Sequence, residues 1–313
     1  MDWRIKASIQ KILSSSRIGD KLNHIPAILQ KNYHENVVKY QFHECIRKFD
    51  YTQLDLNQKC TALEIGTGYS VISPVILYLL GFDKIVTVDI DQDIKFESFQ
   101  KQIDYLNSKE YIQEISNKGV FSPETIKKKL DEILKCANLD ELLSFCNIKY
   151  IAPYTPKDIS AEESTFDYIY SQVVFEHIPP EFLEILFENF KIWLKKGCYT
   201  VHTINFVDHF TNPGFFQDQN ISAYNFLKFS DTYWGFWAGN SIAYTNRLSH
   251  IYYQDLFESN NLYVTNFIGE NYKPSKHLEI TEIHNDVIRK YKSHPDLIEL
   301  TKYQRGTFVV KNN

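Results

Sequence analysis

Through the first fifty residues the apolar positions recur every three or four: Ile5, Ile9, Ile12 and Leu13, then Val37, Val38, Phe42 and Ile46. That period is helical, and residues 1–60 are expected to form an N-terminal helical cap. The pattern then changes. Thr61-Ala62-Leu63-Glu64-Ile65 is a short apolar run ending in Gly66-Thr67-Gly68, and the stretch to Leu80 reads as a buried helix. Pro74 is tolerable in its first turn and Gly81 is placed to stop it. Lys84-Ile85-Val86-Thr87-Val88-Asp89 is a second strand that ends in an acid. Strand, helix and strand in this order predict a right-handed crossover unit.

Residues 95–145 are helical and charged, and longer than one crossover helix requires, so they read as a helical insertion. Further strands are expected at Ile148–Ile151, Phe166–Ser171, Cys198–Asn205, Leu262–Ile268 and Gly306–Lys311, with helices over Pro180–Leu194 and Tyr252–Ser259. The alternation predicts an α/β fold: a doubly wound, mostly parallel seven-stranded sheet with helices on both faces. It occupies residues 61–313, with a second insertion at 206–247 rich in aromatic residues and Asn.

Composition narrows the partners. The 313 residues carry 34 basic and 39 acidic side chains, a net charge of -5 with no basic stripe, which argues against nucleic acid and anionic lipid surfaces. Hydrophobic residues at 43% and charged at 23% are those of a folded domain. No run approaches the roughly 20 apolar residues of a membrane span, and the first residues lack the order of a secretory leader. Five cysteines, without a CxxC, indicate neither a disulfide framework nor a zinc knuckle. A cytoplasmic protein is expected.

The chemistry concentrates at the first strand's end. In an open α/β sheet ligands bind beyond the carboxyl ends of the strands at the switch point, where Gly66 and Gly68 let the backbone bend tightly and approach a ligand. Asp89 follows Gly66 by 23 residues, near the offset at which an acid accepts ribose hydroxyls. A nucleoside-containing ligand is implied. A dinucleotide site wants a third glycine, whereas this turn continues Tyr69-Ser70-Val71 and carries Glu64 in the strand. A carboxylate there repels a pyrophosphate and suits a ligand with a cationic end.

On these residues the chain resembles the class I S-adenosylmethionine-dependent methyltransferases: Glu64-Ile65-Gly66-Thr67-Gly68, Val86-Thr87-Val88-Asp89-Ile90, Asp158-Ile159 ahead of Phe166-Asp167-Tyr168-Ile169, and Ser171-Gln172-Val173-Val174-Phe175-Glu176-His177-Ile178. The resemblance runs from Ala62 onward and implies a Rossmann-like methyltransferase fold with S-adenosyl-L-methionine as cofactor. It places the methionine portion at Glu64, Gly66, Thr67 and Gly68, the ribose at Asp89 beside Ile90, and adenine at Asp158 and Ile159. Ser171 and Gln172 border the same site. The register of the adenine loop is ambiguous, because Thr155-Pro156-Lys157 and Glu162-Glu163 flank it.

Transfer of a methyl group depends mainly on alignment, and a hydroxyl acceptor adds a need for a base. Candidates are His209, Asp208 and His202, with Glu176, His177, Trp234 and Arg247 as acceptor contacts. Each has a structural alternative: a core histidine at His202, loop architecture at Glu176-His177, a surface ion pair at Arg247. At Asp208-His209 an oriented base is favoured over a cation, and no metal is expected. The aromatic insertion, with Phe215, Phe216, Tyr233, Trp234, Phe236 and Trp237, reads as a lid over a sugar ring, as a homodimer interface or as a satellite core. The string from Tyr199 to Phe210, with Asn225-Phe226-Leu227-Lys228-Phe229-Ser230 and Asn246-Arg247-Leu248, is similar to a methyltransferase branch of cell-surface polysaccharide gene sets. Members of that branch typically carry an acid where Asn205 stands. The expectation is O-methylation of a sugar-containing small molecule, with N-methylation, NAD-dependent oxidoreduction and non-catalytic donor binding as the competing functions.

Overall fold

A computed structural model describes residues 1–15, 31–155, 158–159, 165–211, 216–291, 294 and 296–313. Seven strands form one sheet: β1 (Thr61–Ile65), β2 (Lys84–Val88), β3 (Ile148–Ile151), β4 (Phe166–Gln172), β5 (Leu194–Asn205), β6 (Tyr263–Glu270) and β7 (Arg305–Lys311). Their order is β3-β2-β1-β4-β5-β7-β6. The first five run parallel, while β7 is antiparallel to both β5 and β6. This is the doubly wound, Rossmann-like sheet expected from the sequence, with β1 at the point where the order reverses.

β1 shows how the two faces are filled. Ala62 points to the side covered by α2 (Tyr33–Asp50) and α3 (Ile72–Leu80), whereas Leu63 and Ile65 point to the side covered by α8 (Pro180–Trp193) and α10 (His250–Ser259). The helical insertion extends the first face through α4 (Phe96–Leu106), α5 (Lys109–Lys118), α6 (Pro123–Ile133) and α7 (Leu139–Phe145). Caps divide it into separate helices. Ser108, Ser122 and Asn138 each accept a backbone N–H of the helix they begin, and Pro123 opens α6. Among the described residues no helix is long and apolar enough to cross a membrane.

The two described helices of residues 1–60 part company. α2 lies on the sheet with Val38, Phe42, Cys45, Ile46 and Phe49 inward. α1 (Trp3–Leu13) instead joins the aromatic insertion, where Trp3 lies 5.6 Å from Phe210, 5.4 Å from Phe229 and 5.5 Å from Trp234. That insertion, with α9 (Asp231–Ala238), is a satellite core of its own. Phe215 and Gly214 lie outside the described residues.

Candidate functional site

The chain leaves β1 through a turn that only glycine makes without strain. Gly66 and Gly68 have φ of 83° and 62°. A Cβ on Gly66 would sit 2.3 Å from Val174 Cγ2, so the loop after β4 closes directly on this turn; around Gly68 nothing lies within 4 Å. Asp89 Oδ2 accepts the Gly68 N–H at 2.6 Å, while Oδ1 has the Asp91 N–H at 3.4 Å. Burial pushes the Asp89 carboxyl above its ordinary value against the lowering by those N–H groups. Ile90, beside it, is 74% exposed.

Glu64 lies under the turn. It accepts from Thr87 Oγ1 at 2.6 Å, and Thr87 in turn meets Thr67 Oγ1 at 2.5 Å. Burial pushes Glu64 up to about 7. A second buried charge approaches from α2: Lys48 Nζ donates to the Ser171 carbonyl at 3.1 Å and to Gln172 Oε1 at 2.5 Å. Desolvation lowers Lys48 to about 8. Sequence reading missed this residue, although its spacing from Cys45 and Phe42 put it on the buried stripe of α2.

Several expected donor contacts are placed otherwise. Ser171 Oγ bonds His202 Nδ1 at 2.8 Å, and Gln172 Nε2 donates to Tyr40 at 2.5 Å, so both side chains serve the protein's own packing. Asp158 closes its own turn, accepting from Thr155 N and Oγ1 at 2.6 and 2.9 Å. Ile159 is buried in the core on the α8 side. The flanking Pro156, Lys157, Glu162 and Glu163 lie outside the described residues.

The acceptor side is set by the ends of β4 and β5, which pair in parallel with Ser171 opposite His202 and Gln172 opposite Thr203. Val173 then takes φ of 50°, held by its N–H to the Thr203 carbonyl at 2.8 Å. A left-handed β-branched residue costs about 1–2 kcal/mol, and the turn it enforces delivers Glu176 and His177. Asn246 pins that turn, donating from Nδ2 to the Phe175 and Ile178 carbonyls at 2.6 and 2.9 Å and from its backbone to the Glu176 carbonyl at 2.9 Å.

Glu176, His177 and His209 converge, with one ligand-capable atom from each lying within 4.8 Å of the others. Glu176 is 3% exposed and neither carboxylate oxygen has a well-formed hydrogen bond, although its own backbone N–H and the backbone and side chain of Asn205 approach closely enough to lower it in part. Desolvation pushes Glu176 up to about 8. His209 Nε2 is likewise buried without a partner, and desolvation, with His177, Lys6 and Lys273 nearby, lowers the ring to about 3. Desolvation lowers His177 as well, although part of its ring reaches solvent, against the raising by its bond to the Tyr244 carbonyl.

Four residues expected on the acceptor side are placed otherwise. His202 is a core histidine: its ring stacks on Phe190 at 5.1 Å, and its nitrogens are taken by Ser171 and Thr200. It has no nitrogen to offer an acceptor. Arg247 spends its guanidinium on the Phe226 and Phe229 carbonyls at 2.9 and 2.7 Å and on Asp231. Trp234 is 5% exposed inside the satellite core, stacked on Phe229 at 5.9 Å, and presents no face to a sugar ring. Asp208 does not bond His209. It accepts the Phe210 N–H at 2.8 Å and Asn225 Nδ2 at 3.4 Å, and burial pushes it up to about 7.

Known structures with similar backbones include a geranyl diphosphate C-methyltransferase from Streptomyces coelicolor, 11% identical over 91% of this chain and 85% of that one, with a TM-score of 0.42. An S-adenosylmethionine-dependent methyltransferase from Mesorhizobium loti matches at 10% identity over 86% and 96%, with a TM-score of 0.39. The phosphoethanolamine N-methyltransferase 2 of Haemonchus contortus matches at 12% over 90% and 58%, with a TM-score of 0.41. No protein-family model and no curated protein sequence matches the chain.

Proposed function

We propose that this protein binds S-adenosylmethionine at the Gly66–Gly68 turn and transfers its methyl group to a hydroxyl of a small, sugar-containing acceptor. The observation that carries the donor reading is the pairing of two left-handed glycines with Asp89, whose Oδ2 fixes the Gly68 amide while Oδ1 keeps capacity for a ribose hydroxyl. Gly68 faces open space, and Ile90 offers an exposed apolar surface next to the ribose position. Glu64 under the turn favours a cationic ligand over a pyrophosphate. When bound, S-adenosylmethionine supplies an electrophilic methyl group on a sulfonium, and no covalent help from the protein is needed.

Val174, pressed against Gly66, and Glu176, two residues on, link the donor turn to the acceptor side. Of the bases read from the sequence, His209 has a ring nitrogen with no hydrogen-bond partner, and it stands with Glu176 and His177 on the acceptor side of the proposed transfer. The sugar-containing acceptor rests on the likeness of the Tyr199–Phe210 string to the polysaccharide-associated branch. The test is methyl transfer from labelled S-adenosylmethionine to a panel of sugar nucleotides and capsule fragments, compared with small amines. Label in a hydroxyl product supports the reading; label in amines alone overturns the acceptor class.

A further inference from the structure

Buried polar atoms are almost always hydrogen-bonded, and leaving a carboxylate unpaired is especially costly. Glu176 leaves two oxygens so, and His209 Nε2 stands with them. The missing partner is common to both. His177 completes the set: its Nδ1 meets the Tyr244 carbonyl at 3.0 Å, which makes Nδ1 the protonated nitrogen and leaves the Nε2 lone pair open. That bond to a backbone carbonyl is the outer-shell device that orients metal-bound histidines. The rings of His177 and His209 lie 4.9 Å apart.

We propose that Glu176, His177 and His209 form a binding site for one divalent transition-metal ion, at the carboxyl ends of β4 and β5. Two imidazoles and a carboxylate are the donor set of catalytic zinc sites, which keep a further position open; softer, sulfur-rich sites and all-oxygen magnesium or calcium sites are built differently. The size fits after a small adjustment. With bonds of about 2.1 Å two ligands cannot stand more than ~4.2 Å apart, so the atoms, now within 4.8 Å, close by roughly half an ångström on binding. His177, exposed, can make that movement, while the Phe175–His177 turn is held by Asn246. The nearby cations do not occupy the site: Lys273 bonds Thr211, and Lys6 bonds Gln217. The ion's use, orienting an acceptor oxygen at the open position, rests on the methyl-transfer reading; the ion's binding does not.

The experiment is cobalt(II) titration of chelator-treated protein, followed by visible d–d absorption and by metal analysis after desalting, with zinc as competitor. One equivalent is expected, displaced by zinc. Removal of outer-shell partners alone weakens metal sites 10–100-fold, so Glu176→Gln and His209→Ala are expected to lose at least about a hundredfold. His277→Ala, at an exposed histidine outside the cluster, keeps the full equivalent. Because Glu176 is buried, His177→Ala serves as the variant least able to disturb folding, and S-adenosylmethionine titration of every sample without metal reports the donor site separately. Absence of bound cobalt, or binding unchanged in Glu176→Gln and His177→Ala, would overturn the proposal. Cobalt binding without donor binding would leave the metal site standing and remove the methyl-transfer reading.

Discussion

The donor turn and the acceptor cluster lie side by side at the carboxyl edge of the same sheet, yet their polar groups are in opposite states. At the turn, Glu64 has Thr87, Thr67 has Thr87, Asp89 has the Gly68 amide and Lys48 has Ser171 and Gln172. At the cluster, Glu176 and His209 hold buried atoms with no partner. A satisfied network fixes geometry and leaves recognition to the few lone pairs it keeps, such as Asp89 Oδ1. An unsatisfied one stores a demand that a ligand meets. On the proposed function, the donor side is organised before binding and the acceptor side is organised by what it binds.

The largest effect that separates the two is on turnover. His209→Ala is expected to lower the methyl-transfer rate by roughly a hundredfold or more while leaving S-adenosylmethionine affinity within about twofold. Equal losses in both would merge the two regions. Asp89→Ala should do the reverse, weakening donor binding by about 1.5–3 kcal/mol, as charged hydrogen bonds are lost, with metal binding at the cluster unchanged by calorimetry.

Gly66→Ala tests the join between them. Its Cβ would meet Val174 at 2.3 Å, in a backbone with φ of 83°, so it is expected to cost about 1–3 kcal/mol in thermal or urea unfolding and to impair both sites. Gly68→Ala, with open space around it, costs only the left-handed backbone, about 1–2 kcal/mol, and its functional loss is confined to donor binding. If the two alanines behave alike, the close approach of the β4 loop to the turn has no consequence.

The smallest effect is in pH. Glu64 is held up to about 7 by burial, above its ordinary value, so a cationic donor that favours the ionised form binds more tightly as pH rises. Affinity should increase roughly tenfold between pH 6 and pH 8, and Glu64→Gln should flatten the profile. Stability responds with the opposite sign. The unfolded chain ionises Glu64 first, so this group's contribution to stability falls as pH rises from its ordinary value to about 7 and is level above that.

Much of the frame was legible because the strands alternate with helices in the period of each element, and because two glycines in a glycine-poor chain stand between an apolar strand and an apolar helix. Asp89 was legible for the same reason. His202 was not: β5 is covered on both faces, so strand alternation does not distinguish a site-facing residue from a core one. Arg247 read as an acceptor contact or a surface ion pair because a guanidinium's partners, here two backbone carbonyls and Asp231, come from a segment folded back on itself. The docking of α1 on the aromatic insertion joins residues more than two hundred positions apart, which no local period encodes. Nor does sequence tell whether a carboxylate is partnered. Glu176-His177 was visible as a candidate pair, and its unpartnered polar atoms became visible only with the burial around it.

The most direct measurement is calorimetric titration of the purified protein with S-adenosylmethionine, with its demethylated product and with NAD. The account predicts micromolar binding of the first two, lost in Asp89→Ala, and none of NAD. Binding of NAD alone would contradict it and make the glycine turn a dinucleotide site.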